Sequence, residues 1–322
     1  MPFLNDLLDF SDHPLMPPPS AQLFAEHLPV EWIQHCLTLS AHATVRRRRL
    51  PGDMVIWMVV AMAFFRNEPI TDVVRRLNLS ADGEAGMNLL ARSAVTQARQ
   101  RVGAAPVEWL FRQTAKTWGT ERYLKDDWHG LQLFAIDGAQ FRTPDEPELR
   151  EYYGSANTST ERQSAYPVMR LVALMNLGSH ILLDAATAPY RHSETLLAHS
   201  MLATLPDNSV TLLDKLFYSA DLLLTLNRQG SNCHWLLPAR RDMAAETETI
   251  YGAGDRLLKL KVSQQARKKN PSLPEFWYAR VAHLRGALEA VFITKRPRPS
   301  RPRAVKISKT RYPVKRSAAP LK

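Results

Sequence analysis

Phe134-Ala135-Ile136-Asp137-Gly138 and Val210-Thr211-Leu212-Leu213-Asp214 decide the reading of this chain. Each is a short apolar run that stops at an aspartate, as a buried strand does where its chain turns towards solvent. Two such carboxylates brought together are hard oxygen donors suited to divalent cations. Paired cations can activate one phosphate-bound oxygen and stabilise another during an in-line displacement. A turn residue at each strand end explains the same two aspartates without any chemistry.

Composition narrows the field. With 322 residues and 45 % apolar content the chain can bury a substantial core and has room for two or three domains. Its two cysteines, Cys36 and Cys233, are far apart and lack metal-ligand spacing, which argues against a disulfide framework or a thiolate zinc site. The start of the chain carries Asp6, Asp9 and Asp12 where a secretory signal would be basic. The longest apolar run, Met54 to Phe65, has 12 residues. A bilayer crossing needs about 20, so this run is expected to be a core helix in a cytoplasmic protein, with no membrane partner. The histidines form no metal motif, and no phosphate-binding glycine loop occurs.

Charge is concentrated at one end. Lys295 to Lys322 holds eleven Lys or Arg and no acid, which equals the formal excess of +11 over the whole chain. Residues 1–294 are balanced, with 31 basic and 31 acidic side chains. A basic, proline-punctuated tail is expected to be disordered, with DNA as an obvious polyanion for it or with no specific role.

Helical spacing recurs over 30–40, 53–66, 69–78, 93–102 and 106–118, with Pro69 and Pro106 at first-turn positions. The pair 70–79 and 93–102 has the size of a helix-turn-helix, although the loop between them is long. Its second helix would present Gln97, Arg99 and Arg101 as a recognition helix presents its polar face, and a solvated bundle face explains the same residues. The cluster Arg46, Arg47, Arg48 and Arg49 puts four charges near a helix start and is a candidate phosphate contact. After Gly130 the pattern changes to a strand at 131–136, a hairpin 169–186 turning at Asn176-Leu177-Gly178-Ser179, and a helix at 193–205. A strand at 210–213, a helix at 220–229 and a strand at 234–237 follow. Strands are expected again at 257–262 and 290–294, with Arg267, Lys268 and Lys269 in a loop able to meet DNA.

Two longer motifs make these pieces specific. Asp137-Gly138-Ala139-Gln140-Phe141-Arg142-Thr143-Pro144-Asp145 with Tyr153-Gly154, and Asp214-Lys215-Leu216-Phe217-Tyr218-Ser219-Ala220-Asp221-Leu222-Leu223, resemble the two aspartate motifs of the DDE transposases of bacterial insertion sequences, in the insertion-sequence-four family. The resemblance extends to Arg48-Arg49-Leu50-Pro51, to Ser93 through Arg101, and on to about Asn270-Pro271.

It implies an α/β fold: a ribonuclease-H-like mixed sheet with an all-helical N-terminal domain and a partial β-rich insertion. The segments would be a loose arm (1–19), a helical DNA-binding domain (20–125), the ribonuclease-H-like core (126–240), the insertion (241–294) and the basic tail (295–322). In that fold the first and fourth strands lie side by side, which would bring Asp137 and Asp214 together. The implied activity is cleavage and transfer of DNA strands by two Mg²⁺ (or Mn²⁺) ions, on transposon ends and target DNA, with a homodimer on double-stranded DNA as one assembly. Asp137 would touch both ions and Asp214 one.

The family's third carboxylate lies in a Tyr-x2-Arg-x3-Glu-x6-Lys pattern that has no full match here. Arg285 and Glu289 keep the spacing and Arg296 stands at the lysine position, but Ala282 replaces the tyrosine. Glu289 also opens the strand-like run Ala290 to Thr294. It is the one candidate for the third ligand. Because Arg301 to Lys306 and Arg311-Tyr312-Pro313 resemble the family's final residues, the expected history is an in-frame loss near Lys295–Ser300. Leu216 stands where the family has glycine, and is expected to displace Asp214. The reading is a transposase expected to be unable to cleave, with a non-catalytic remnant that binds transposon ends and competes with intact enzyme as the alternative.

Overall fold

The computed structural model describes residues 28–40, 50, 52–77, 91–122, 127–155, 157–159, 162–163, 166–239, 245–282 and 291–293. The chain divides into two compact units, one of residues 1–210 with 230–232, the other of residues 211–229 with 233–322. The boundary falls within a strand.

Among the described residues the first unit has helices α1 (Val30–Thr38), α2 (Gly52–Phe64), α3 (Ile70–Arg76), α4 (Arg92–Val102) and α5 (Ala105–Thr114), the last running into a wider turn over Ala115–Gly119. All five bury apolar side chains in a common core: Ile33 and Cys36 from α1, Ile56, Met58 and Ala61 from α2, Val73 and Val74 from α3, Val95, Ala98 and Val102 from α4, and Leu110 from α5. Burial of each large aliphatic side chain contributes about 1.5–3 kcal/mol, which holds these short helices where propensity alone would not. The 54–65 run is the core helix its length implied; no described helix is long and apolar enough to cross a membrane. α4 ends at Gly103, whose φ of 75° takes the backbone out of the helix.

Strand β1 (Gln132–Arg142) is followed by α6 (Pro147–Tyr153), a small hairpin β2 (Asn157–Ser159) and β3 (Arg162–Gln163), and strands β4 (Val168–Asn176) and β5 (Leu182–Pro189). β4 is central, antiparallel to both β1 and β5. Phe134 and Ile136 alternate into the core on the same side as Leu174, which pairs with Ile136, and Val172, which pairs with Gly138. α7 (Glu194–Met201), capped by the Ser193 hydroxyl accepting from the Leu196 N–H, packs Ala198 and Met201 against β4 and β5.

The turn after β4 carries more than a reversal. The buried Asn176 side chain accepts from the N–H groups of Gly178 (2.8 Å) and Ser179 (3.3 Å) and donates to the Gly119 carbonyl (3.0 Å). It therefore closes the hairpin and ties it to the end of the helical segment. A second tie is Asp184 on β5, which accepts from Arg112 of α5 (3.0 Å) and from the Thr204 hydroxyl (3.0 Å).

Strand β6 (Ser209–Leu213) begins in the first unit and ends in the second. The second unit continues with α8 (Ala220–Arg228), β7 (Cys233–Pro238), β8 (Ala245–Gly252), β9 (Asp255–Lys261), α9 (Gln264–Lys269), β10 (Phe276–Ala282) and β11 (Val291–Ile293). Its strand order is β6-β7-β11-β10-β9-β8. Trp235 is fully buried, lies tilted at 6.1 Å from the Trp277 ring, and donates its indole N–H to Asn227 (2.9 Å). Leu222, Leu223 and Leu226 of α8 complete that core.

Three expectations need correction. β1 does not stop at Asp137; it runs five residues further, because β4 supplies ladder partners out to Arg142. β8 and β10 are strands that the periodicity did not reveal. The basic run 267–269 lies in α9, a short helix and not a loop, whose first turn is held by Ser263 accepting from the Ala266 N–H (3.1 Å).

Candidate metal and DNA site

Asp137 stands on β1 at the point where burial gives out, although the strand goes on. Its carboxylate is exposed, and Oδ1 accepts the N–H of Gly138 at 2.8 Å. Side-chain alternation sends Asp137 to the opposite face from Ile136 and from the α-carbon hydrogen of Gly138 that would carry a side chain. Beneath Gly138 sits the Glu194 carboxylate at the start of α7, held by Arg170.

Asp214 follows β6 directly and is also exposed. It caps the single turn Lys215–Phe217, with Oδ1 accepting the Leu216 N–H at 3.1 Å. Phe217 anchors that turn in the core, and Ser219 caps α8 by accepting from Leu222. Leu216 sits in this right-handed turn, outside the residues of positive φ, with its side chain 62 % exposed. A leucine meets no conformational penalty there, so the expected displacement of Asp214 has no backbone cause.

Each carboxylate spends one oxygen site on a local amide and retains acceptor capacity for a cation. Hard, exposed, anionic oxygens fit Mg²⁺ or Mn²⁺. Asp137 belongs to the first compact unit and Asp214 to the second. Among the described residues no group of three or more His, Cys, Asp or Glu could hold a metal ion. Glu289, and with it the third-ligand question, lies outside the described residues.

Of the DNA-contact candidates, Gln97 and Arg99 are exposed on α4, on the side away from Val95, Ala98 and Val102. Arg101 differs from them. It is half-buried, reaches the Leu50 carbonyl at 3.5 Å, and its own carbonyl accepts from the Ser40 hydroxyl. Lys268 and Lys269 are exposed on α9, and Arg267 is half-buried. Arg46 to Arg49 and the basic tail lie outside the described residues. Arg170 and Glu194 escaped the sequence reading because 24 positions separate them and Glu194 reads as an ordinary first-turn acid. Gly138 was the available signal, since a glycine within a strand often marks a close approach.

Two family models match the chain. "Insertion element 4 transposase N-terminal" covers residues 18–112, and "Transposase DDE domain" covers residues 128–312. The chain is 79 % identical over its whole length, and over the whole of the relative, to "Putative transposase InsZ" of Escherichia coli (strain K12). It is also 40 % identical over 248 residues to "Transposase InsG for insertion sequence element IS4" of the same organism, covering 77 % of this chain and 55 % of that protein. Among solved structures, a piggyBac transposase synaptic complex with hairpin DNA aligns over 85 % of this chain and 52 % of that one. Its TM-score of 0.34 and 8 % identity are too low to bear on the fold. The matched residues span both aspartate motifs and the helical region, and the chain belongs to the insertion-sequence-four family of DDE transposases.

Proposed function

We propose that this chain is an insertion-sequence transposase polypeptide that binds double-stranded DNA and holds a divalent cation at Asp137 and Asp214, yet cannot complete strand cleavage. The observation that carries the reading is the pair of exposed aspartates, each at the limit of a buried apolar run within the matched DDE domain. A ribonuclease-H-like core over 126–240 would put their strands side by side. The helical segment 20–125 and the insertion 241–294 would supply DNA contacts through Gln97, Arg99, Lys268 and Lys269, with Arg46 to Arg49 as further candidates from the sequence.

When bound, Mg²⁺ or Mn²⁺ would supply Lewis-acid stabilisation of the phosphate oxygens. The residues of this chain do the rest. Asp137 and Asp214 fix where the cation sits, their carboxylates oriented by the Gly138 and Leu216 amides. Two carboxylates bring a charge of about −2, which balances one divalent ion but leaves two under-coordinated. A glutamate would be needed to complete the set, and Glu289 is its only sequence candidate.

The lack of a full match to the family's Tyr-x2-Arg-x3-Glu-x6-Lys pattern favours a second form of the reading. In it the chain is a non-catalytic remnant that occupies transposon ends and competes with intact transposase. The test is cleavage of end-containing DNA in Mg²⁺ or Mn²⁺ by the wild type, Asp137→Ala and Glu289→Ala. The expected result is DNA binding without nicking. Nicking that both substitutions abolish overturns the proposal and makes the chain a complete enzyme.

A further inference from the structure

The close approach at Gly138 is unusual for a strand interior. A Cβ at this position would lie 2.6 Å from Cδ of Glu194 and 2.8 Å from its Oε2, so only a residue without a side chain leaves room for that carboxylate. Glu194 is itself fixed. Its Oε1 accepts from Nη1 of Arg170, which stands on β4 directly across from Gln140. The remaining Arg170 nitrogens donate to the Tyr190 carbonyl at 3.4 and 3.3 Å, and the guanidinium lies 5.3 Å from the centre of the Tyr190 ring. Both side chains are largely withdrawn from water, at 14 % and 19 % exposure. A paired, well-bonded charge couple of this kind resists displacement, because moving one member leaves the other buried and uncompensated.

The amide above this couple is the one that donates to Asp137. Gly138 N–H holds Asp137 Oδ1 at 2.8 Å, so the height and tilt of the Gly138 peptide set the direction of the Asp137 carboxylate. We infer that Arg170 and Glu194 are positioning residues for Asp137, acting through the bare face of Gly138 to aim a metal ligand on the far side of the strand. The inference rests on Asp137 being that ligand. Outer partners of this sort change metal affinity by roughly 10- to 100-fold when removed.

Mn²⁺ affinity of the full chain, read from the electron paramagnetic resonance of the free ion well below the melting temperature, tests this. Asp137→Ala is the control for the ligand itself and should lose at least tenfold. Gly138→Ala is expected to lose roughly 10- to 100-fold, and Glu194→Ala about tenfold, with circular dichroism unchanged. Glu194→Gln keeps the shape and still accepts from Arg170, and should stay within about threefold of wild type. The double variant Gly138→Ala/Glu194→Ala should bind no more weakly than Gly138→Ala, since both changes act by one route. A purely structural role predicts lower melting temperatures with unchanged affinity in the folded proteins, and that result overturns the inference. So do losses that multiply in the double variant. If Asp137→Ala binds like wild type, the metal reading itself has failed and this inference falls with it.

Discussion

Replacing Asn176 by alanine should be among the most damaging single changes in the first unit, although it removes no apolar surface. Asn176 is 4 % exposed and makes three hydrogen bonds, two accepted from Gly178 and Ser179 and one donated to the Gly119 carbonyl. A net contribution of about 1 kcal/mol for each bond gives about 3 kcal/mol. Gly119 is buried, so water cannot easily replace the donor that its carbonyl loses. Asn176→Asp separates the contributions: it keeps the acceptor for the turn but sets a carboxylate against the carbonyl, and should cost at least as much. Native-state hydrogen exchange is the suitable assay, because it reports the unit that opens. Protection of the β4 and β5 amides should fall by about a hundredfold, the equivalent of about 3 kcal/mol. A loss below about fivefold for Asn176→Ala would refute the idea that this side chain joins the hairpin to the helical segment.

Ser193→Ala removes the cap of α7 and should cost about 1 kcal/mol in urea denaturation, without shifting the slope. Burial pushes the Cys36 thiol above its usual range, so its folded value exceeds the unfolded one. Its contribution to stability is complete below the unfolded thiol value of about 8.5 and is lost as pH rises through the folded value. Thiol reagent at pH 8 should accordingly spare Cys36 in the native chain and label it in urea. Arg99→Ala should weaken binding to duplex DNA across sequences and lower the salt slope by about one, whereas Arg101→Ala should act mainly on stability. An unchanged salt slope for Arg99→Ala would remove α4 from the DNA surface.

What could be read from the sequence was what local pattern encodes. Val210–Leu213 is a mostly apolar run closed by an aspartate, and the structure has that strand, with Asp214 directly after it. α2 shows as the continuous apolar run Met54 to Phe65, and the core of α4 shows in the spacing of Val95, Ala98 and Val102. The second half of β1 was not legible, because Ala139 to Arg142 are exposed and are kept extended by the β4 ladder. β8 was hidden for a related reason: every residue from Ala245 to Gly252 is exposed, so no alternation marks it. In β10 the buried positions Trp277, Ala279 and Val281 do alternate, but a small alanine and the paired Arg280 between them weaken the pattern. At the site, the two aspartates announced themselves through their strands. The Arg170–Glu194 couple did not, since it exists only once α7 is packed on the sheet. The concern over Leu216 was misplaced because residue type was weighed without knowing the turn, which proved right-handed.

A crystal structure of the full chain grown with Mn²⁺, with the ion located by its anomalous scattering, tests the central claim most directly. The expected result is one ion bound by carboxylate oxygens of both Asp137 and Asp214 at about 2 Å. Carboxylates more than about 10 Å apart, or an ion bound elsewhere with neither aspartate touching it, would contradict it.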